Sequence, residues 1–167
     1  MKTVDLEIAI AKMLRVLPKR KNGNCSANKF LLPNVSYGLG LNFECDLLYI
    51  TKNRYAHEYE LKISKNDIIQ DKDKRRHIFS HINDTKIRSR TFVIPVDLMD
   101  CTNLIPEKCG IIIVNPNSTC VLTRKAKNNT KARQLTYEEV LHLGNLAAMR
   151  LWKFKLKQWQ DSKKKIT

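Results

Sequence analysis

Acidic residues are scarce in this chain of 167 residues: 16 Asp and Glu stand against 31 Lys and Arg, a formal charge of +15. An excess of that size draws polyanions over long range, which puts nucleic acid first among partners. No apolar run approaches the roughly 20 residues that a membrane helix needs. Asp5 and Glu7 interrupt the first apolar stretch, so it does not read as a signal peptide. The expectation is a soluble, cytoplasmic protein with no membrane partner. Cysteines number five (Cys25, Cys45, Cys101, Cys109, Cys120), an odd set without a CxxC pair. That argues against a disulfide framework and a zinc ribbon, and it leaves most of them as small buried apolar residues. No internal repeat is visible, and the length suits one core. The expected division is a single domain over 1–160 and a basic, disordered tail over 161–167.

The positive charge is clustered at Lys19, Arg20 and Lys21, between Arg124 and Arg133, and at Lys163 to Lys165. These clusters lie outside the apolar segments that must build the core, so they read as solvated faces and tails.

Along residues 4–17, Val4, Ile8, Ala11, Met13, Leu14 and Leu17 recur at helical spacing until Pro18, which predicts a first amphipathic helix. A polar loop containing Gly23 precedes a short strand around Phe30 to Tyr37, and Gly38 and Gly40 mark a turn. Phe43 to Thr51 and Tyr55 to Ile63, joined by Lys52, Asn53 and Arg54, form a β-hairpin pattern. Ser64 with Asp67 is an N-cap signature, and Ile68, Ile69, Ile78, Phe79 and Ile82 give the helix that follows a patchy apolar stripe. Strands are expected at Arg90 to Val96, Gly110 to Val114 and Cys120 to Arg124, with a short helix or turn between Asp97 and Asn103. Gly110 to Val114 is mostly β-branched, as in a strand buried on both faces. Lys125 to Arg133 has almost no apolar content and is expected to be a mobile basic loop. Thr136 and Glu139 form a capping box that opens a long helix, with Val140, Leu143, Ala147, Leu151 and Phe154 on its apolar face. The order α-β-β-β-α-β-β-β-α predicts an α/β domain, a mixed sheet flanked by helices.

Chemistry concentrates on the hairpin. Strand residues two apart share a face, so Glu58, Glu60 and Lys62 point one way, and Glu44 and Asp46 share a face on the preceding strand. Antiparallel pairing can set these two rows side by side. Neighbouring carboxylates repel unless a cation lies between them, and Mg²⁺ suits such a site because it keeps several waters and needs only one or two carboxylates. The bland alternative is a solvated hairpin face with weak cross-strand ion pairs. Glu44 and Glu58 read as solvent-facing or outer members of the group.

Asp46 followed by Glu60, Leu61 and Lys62 and then a helix resembles the PD-(D/E)XK nuclease superfamily. The run EYELKISKNDIIQDKDKRRH is similar to the corresponding segment of small bacterial MmcB-like DNA-repair proteins, and TFVIPVDLMD and IPEKCGIIIVN resemble that group's next two strands. Specific motif similarity covers Glu44 to His77, and element order extends it over 4–124. Where the superfamily name implies a proline before the metal-binding aspartate, this chain has Cys45. The resemblance implies a restriction-endonuclease-like fold and a Mg²⁺-dependent nuclease (Mn²⁺ able to substitute) that hydrolyses DNA phosphodiester bonds, in repair or recombination. Under it Asp46 and Glu60 bind the metal, the Leu61 carbonyl adds a ligand, Lys62 is the catalytic lysine, and Glu7 on the first helix is a further carboxylate candidate. It also makes a homodimer an expectation, for which the sequence carries no interface signal of its own.

Lys65, Lys74, Arg124, Lys125, Lys127, Lys131 and Arg133 are the expected phosphate contacts. Asp71, Lys74 and His77 read equally as an exposed charged face, and the spacing of His77 and His81 is not completed into a metal site. Trp152 is expected in the core, with lysines snorkelling around it, while Trp159 is left open between core and nucleotide stacking. The contrasting functional expectation is a nuclease-fold protein that binds nucleic acid, or serves a structural role, without turnover.

Overall fold

The computed structural model describes residues 1–17, 29–36, 39–41, 43–71 and 85–164. The Lys19 to Lys21 cluster, the loop around Gly23, Cys25, Gly38, Lys74, Ile78, Phe79, His77, Ile82 and His81, and the last residues of the tail lie outside them. The elements are α1 (Thr3–Met13), β1 (Phe30–Ser36), β2 (Glu44–Ile50), β3 (Ala56–Leu61), a helix α2 that begins at residues 65–71, β4 (Ile87–Pro95), a 3-10 helix (Val96–Leu104), β5 (Gly110–Val114), β6 (Cys120–Arg124) and α3 (Tyr137–Lys164). The six strands lie side by side in sequence order. β1, β2 and β3 pair antiparallel, β3, β4 and β5 parallel, and β6 closes antiparallel on β5. This is a mixed α/β sheet flanked by helices, as the element order predicts.

Alternation assigns the faces. Leu47, Leu61, Val93, Ile112 and Val114 face α1, which covers them with Leu6, Ala9 and Ile10. The other sheet face carries two apolar clusters. Leu32, Leu48, Ile50, Ala56 and Ile87 lie with Leu135, just before α3, and with Leu143 of α3, whereas Phe92, Ile94, Ile111 and Ile113 lie with Ile68 of α2 and with Cys101, Ile105 and Cys109. β5 supplies both faces and is buried throughout, which accounts for its continuous apolar run. Gly110 permits a close approach: a Cβ there would lie 2.8 Å from Thr91 Oγ1 and 2.9 Å from the Ala126 nitrogen.

Three expectations change. The first helix exists, but its buried face is Leu6, Ala9, Ile10 and Ala11, and Val4, Ile8 and Met13 are exposed. The sheet accepts the stripe with alanine at its centre because small side chains let the helix lie close. The helix also ends before Pro18, at Met13, and Arg15 just beyond its cap takes a left-handed φ of 56°. The segment 125–135 is tethered along its length: the amides of Lys127, Asn129, Arg133 and Leu135 donate to the carbonyls of Lys108, Arg88, Thr85 and Arg54. Finally, α3 is helical through Lys164, where a disordered tail was expected from residue 161, and beyond its first turns it leaves the body.

The outer edge of β1 is covered. Pro33 has no amide hydrogen, Asn34 is at φ 50°, and the Arg150 guanidinium of α3 donates to the carbonyls of Pro33 and Asn34.

Candidate active site

The β2–β3 ladder sets Leu47 opposite Tyr59 and Leu48 opposite Glu58, and one further step in that register brings Asp46 to Glu60. A slip of one residue would send Asp46 to the α1 side. At this end of the hairpin, Asp46 Oδ2 accepts the backbone N–H of Leu61 at 2.8 Å, a bond that fixes the carboxylate beside the strand carrying Glu60 and Lys62. The Lys62 amide donates to the Val93 carbonyl at 3.1 Å, so the lysine leaves the sheet from a ladder position.

Glu58 and Glu60 share the sheet face that α2 and α3 cover, between the two apolar clusters. Glu60 is 7% exposed, and its Oε1 accepts from Lys62 Nζ at 2.8 Å. Lys62 Nζ also lies 3.4 Å from Oδ1 of Asp71, the residue on α2 one turn beyond Ile68. α2 is positioned for this by its cap, in which the Ser64 hydroxyl accepts the Asp67 amide at 3.2 Å, and by burial of Ile68. Three carboxylates thus converge on one ammonium. Burial disfavours charge on Lys62, but the fields of Glu60, Asp71 and Asp46 and the hydrogen bond to Glu60 outweigh it and hold its pKa above the ordinary lysine value. A lysine kept protonated in this way can stabilise negative charge on a neighbouring group and cannot serve as a base near neutrality.

Next to this group, Glu58 is 1% exposed and accepts from the Arg90 guanidinium, which in turn lies 4.7 Å from the centre of the Phe43 ring. Glu58 was expected at the rim; it is inside because its face is the covered one. Glu44 is exposed, as expected. Sequence reasoning also left Asp71 balanced between surface and site, although its distance of three residues from the apolar Ile68 was the signal that both face inward.

The remaining candidates are dispersed. Glu7 is half-buried on α1, across the sheet from Glu60, and forms no hydrogen bond or ion pair with the group. Lys65 is exposed in the first turn of α2, and Lys125, Lys127 and Lys131 are exposed along the tethered segment. Arg124 is committed to the fold, donating to the carbonyls of Ile105, Pro106 and Cys109. Arg133 grips Glu139 through two bonds of 2.6 and 2.7 Å. Trp152, expected in the core, is 68% exposed, and Trp159 is exposed as well. Among the described residues, no three His, Cys, Asp or Glu side chains stand close enough together to hold a metal ion. A two-carboxylate site with waters is nevertheless within the coordination habits of Mg²⁺, and Asp46 and Glu60 have the hard oxygen donors for it.

No family model matches this sequence, and no curated protein does either. Among solved structures, the chain is similar to the SPO1766 protein of unknown function from Silicibacter pomeroyi. The TM-score is 0.63 at 13% identity, over 93% of this chain and 92% of that one. At that identity the likeness is one of fold: a single mixed α/β architecture spans both chains nearly from end to end. No helix of the described residues is long and apolar enough to cross a membrane.

Proposed function

We propose that this protein is a Mg²⁺-dependent nuclease of the PD-(D/E)XK type that hydrolyses phosphodiester bonds in DNA. The observation that carries the reading is the convergence of Asp46, Glu60 and Asp71 on Lys62 at the end of the β2–β3 hairpin. Surface ion pairs on a hairpin do not require a half-buried lysine flanked by three acids. Asp46, Glu60 and the Leu61 carbonyl are the groups that would hold Mg²⁺ or Mn²⁺. When bound, such an ion polarises a phosphoryl oxygen and lowers the pKa of its water. Lys62 presents a fixed positive charge to the phosphate as negative charge develops on it, and Asp71 holds that ammonium in place from the helix side. Glu58 and Arg90 form the rigid floor. The exposed Lys65, and Lys125, Lys127 and Lys131 farther along, can neutralise backbone phosphates without reading sequence, which fits a DNA partner of no stated sequence.

The test is cleavage of supercoiled, linear and single-stranded DNA by purified protein with Mg²⁺ or Mn²⁺. Asp46→Ala and Lys62→Ala should each lower the rate by about 10²-fold or more, with circular dichroism unchanged. Absence of cleavage on every DNA form with both metals would sink the reading. Salt-sensitive DNA binding that survives Asp46→Ala, without cleavage, would instead identify a nuclease-fold binding protein.

A further inference from the structure

The long helix α3 carries two apolar stripes, and the fold uses one. Val140, Leu143, Leu146 and Ala147 pack on the cluster over β1 and β2. At about 100° per residue, a second stripe of Leu141, Ala148, Trp152 and Trp159, flanked by Met149 and Leu156, runs along the other side of the helix. All of its large members are more than half exposed. At about 150–250 Å² for a whole side chain of this size, the five large ones present roughly 600 Å² of apolar surface. That is at the upper end of what soluble monomers leave uncovered, and most of the roughly 800 Å² that each partner contributes to a stable interface.

Three cations of the helix are on a separate line: Arg150, Lys153 and Lys157 recur at i, i+3 and i+7, about two-fifths of a turn from the tryptophan stripe. Lys155 stems from the border of the stripe, about 20° from Ala148, and folds its ammonium over the Trp152 ring at 5.2 Å. A phosphate backbone would be drawn to the cationic line, and Leu141, Met149 and Leu156 offer nothing for a base to stack on. The occupant that fits a stripe whose large members are apolar is another apolar helix face. The stripe also has a notch: Gly144 has open space where a Cβ would stand, and Ala148 follows one turn later. If two α3 helices cross antiparallel at Ala148, Trp152 of each copy falls over Gly144 of the other, since both are four residues from the crossing. The arrangement is isologous and closed.

We propose that two copies of this chain pair through α3, antiparallel about Ala148, with Trp152 filling the Gly144 notch. The pairing does not depend on the nuclease reading. Light scattering on the eluting full chain at micromolar concentration should give twice the 19.4 kDa chain mass. Trp152→Ser with Trp159→Ser should return a single-chain mass. Gly144→Arg should do the same, although arginine is the better helix former, so its helical circular dichroism signal should not fall; Gly144→Ala should stay paired. A single-chain mass for the native protein, or a dimer that persists in both disrupted variants, overturns the proposal. So does a monomer whose DNA affinity drops on loss of the two tryptophans, which would make the stripe a nucleic-acid contact.

Discussion

Arg90 and Glu58 form the most deeply buried ion pair among the described residues. Removing one member of such a pair leaves the other charge in a poorly solvated place, at a typical cost of about 3–5 kcal/mol. Arg90→Met should therefore lower stability by about that amount in urea titrations, whereas Arg90→Met combined with Glu58→Met should recover most of it. A single variant as stable as the native protein would show that the pair is not desolvated. At this scale, Glu60 and Lys62 were legible in the sequence because a strand's period of two forces them onto one face. Glu58 obeys the same period, yet its burial was not legible, since the period says which residues share a face and not which face is covered. Asp71 was ambiguous because its α2 stripe is charged on several sides, and only the helix's seat on Phe92 and Ile94 decides which side turns in.

The start of α3 joins capping to charge. The Thr136 hydroxyl accepts the Glu139 amide at 3.1 Å, and the Glu139 carboxylate accepts the Thr136 amide at 2.8 Å, as the capping-box spacing predicts. The same carboxylate takes two bonds from Arg133 and lies 3.4 Å from Lys86. The Arg133 hydrogen bonds, with the Thr136 amide and the fields of Arg133 and Lys86, bring its pKa down to about 2. A depressed carboxylate contributes stability above its unfolded pKa of about 4.3 and loses it as pH falls toward the folded value. Thermal melts from neutral pH down to acid should show Glu139→Gln less stable than native above that window, with the difference shrinking as the pH drops through it. A constant difference would mean that the charge of Glu139 plays no part. Elements whose signals are local, such as this box, the Ser64 cap and the hairpin turn, could be read directly. Two features that depend on what lies against an element could not: which stripe of α1 is buried, and where α3 leaves the body. Leu151 and Phe154 continue the spacing of Leu143 and Ala147, but no part of the described body lies under them. Their composition cannot reveal that. The basic segment 125–135 misled for a related reason, since it is held by backbone bonds to β4 and to connecting segments elsewhere in the sequence.

Across the whole molecule, the candidate site is built from a short stretch of chain, Asp46 to Asp71, spanning one hairpin and the helix that follows. Its floor comes from β4, which lies next to β3 only after the parallel crossover. That arrangement explains why the site's core was readable and its setting was not. Periodicity and turn chemistry organise the hairpin locally, and topology supplies Arg90 and Phe92. The sheet ends outward in β1, whose peptide groups would otherwise offer a template for strands from other molecules. Pro33, the turn of backbone at Asn34 and the grip of Arg150 make that border unreceptive, so on crowding this edge of the sheet should not seed fibrils. Releasing the grip should change its colloidal behaviour: concentrated Arg150→Ala should scatter more light on standing and bind amyloid dyes, and a variant that stays as clear as the native protein would assign the protection to Pro33 and Asn34 alone.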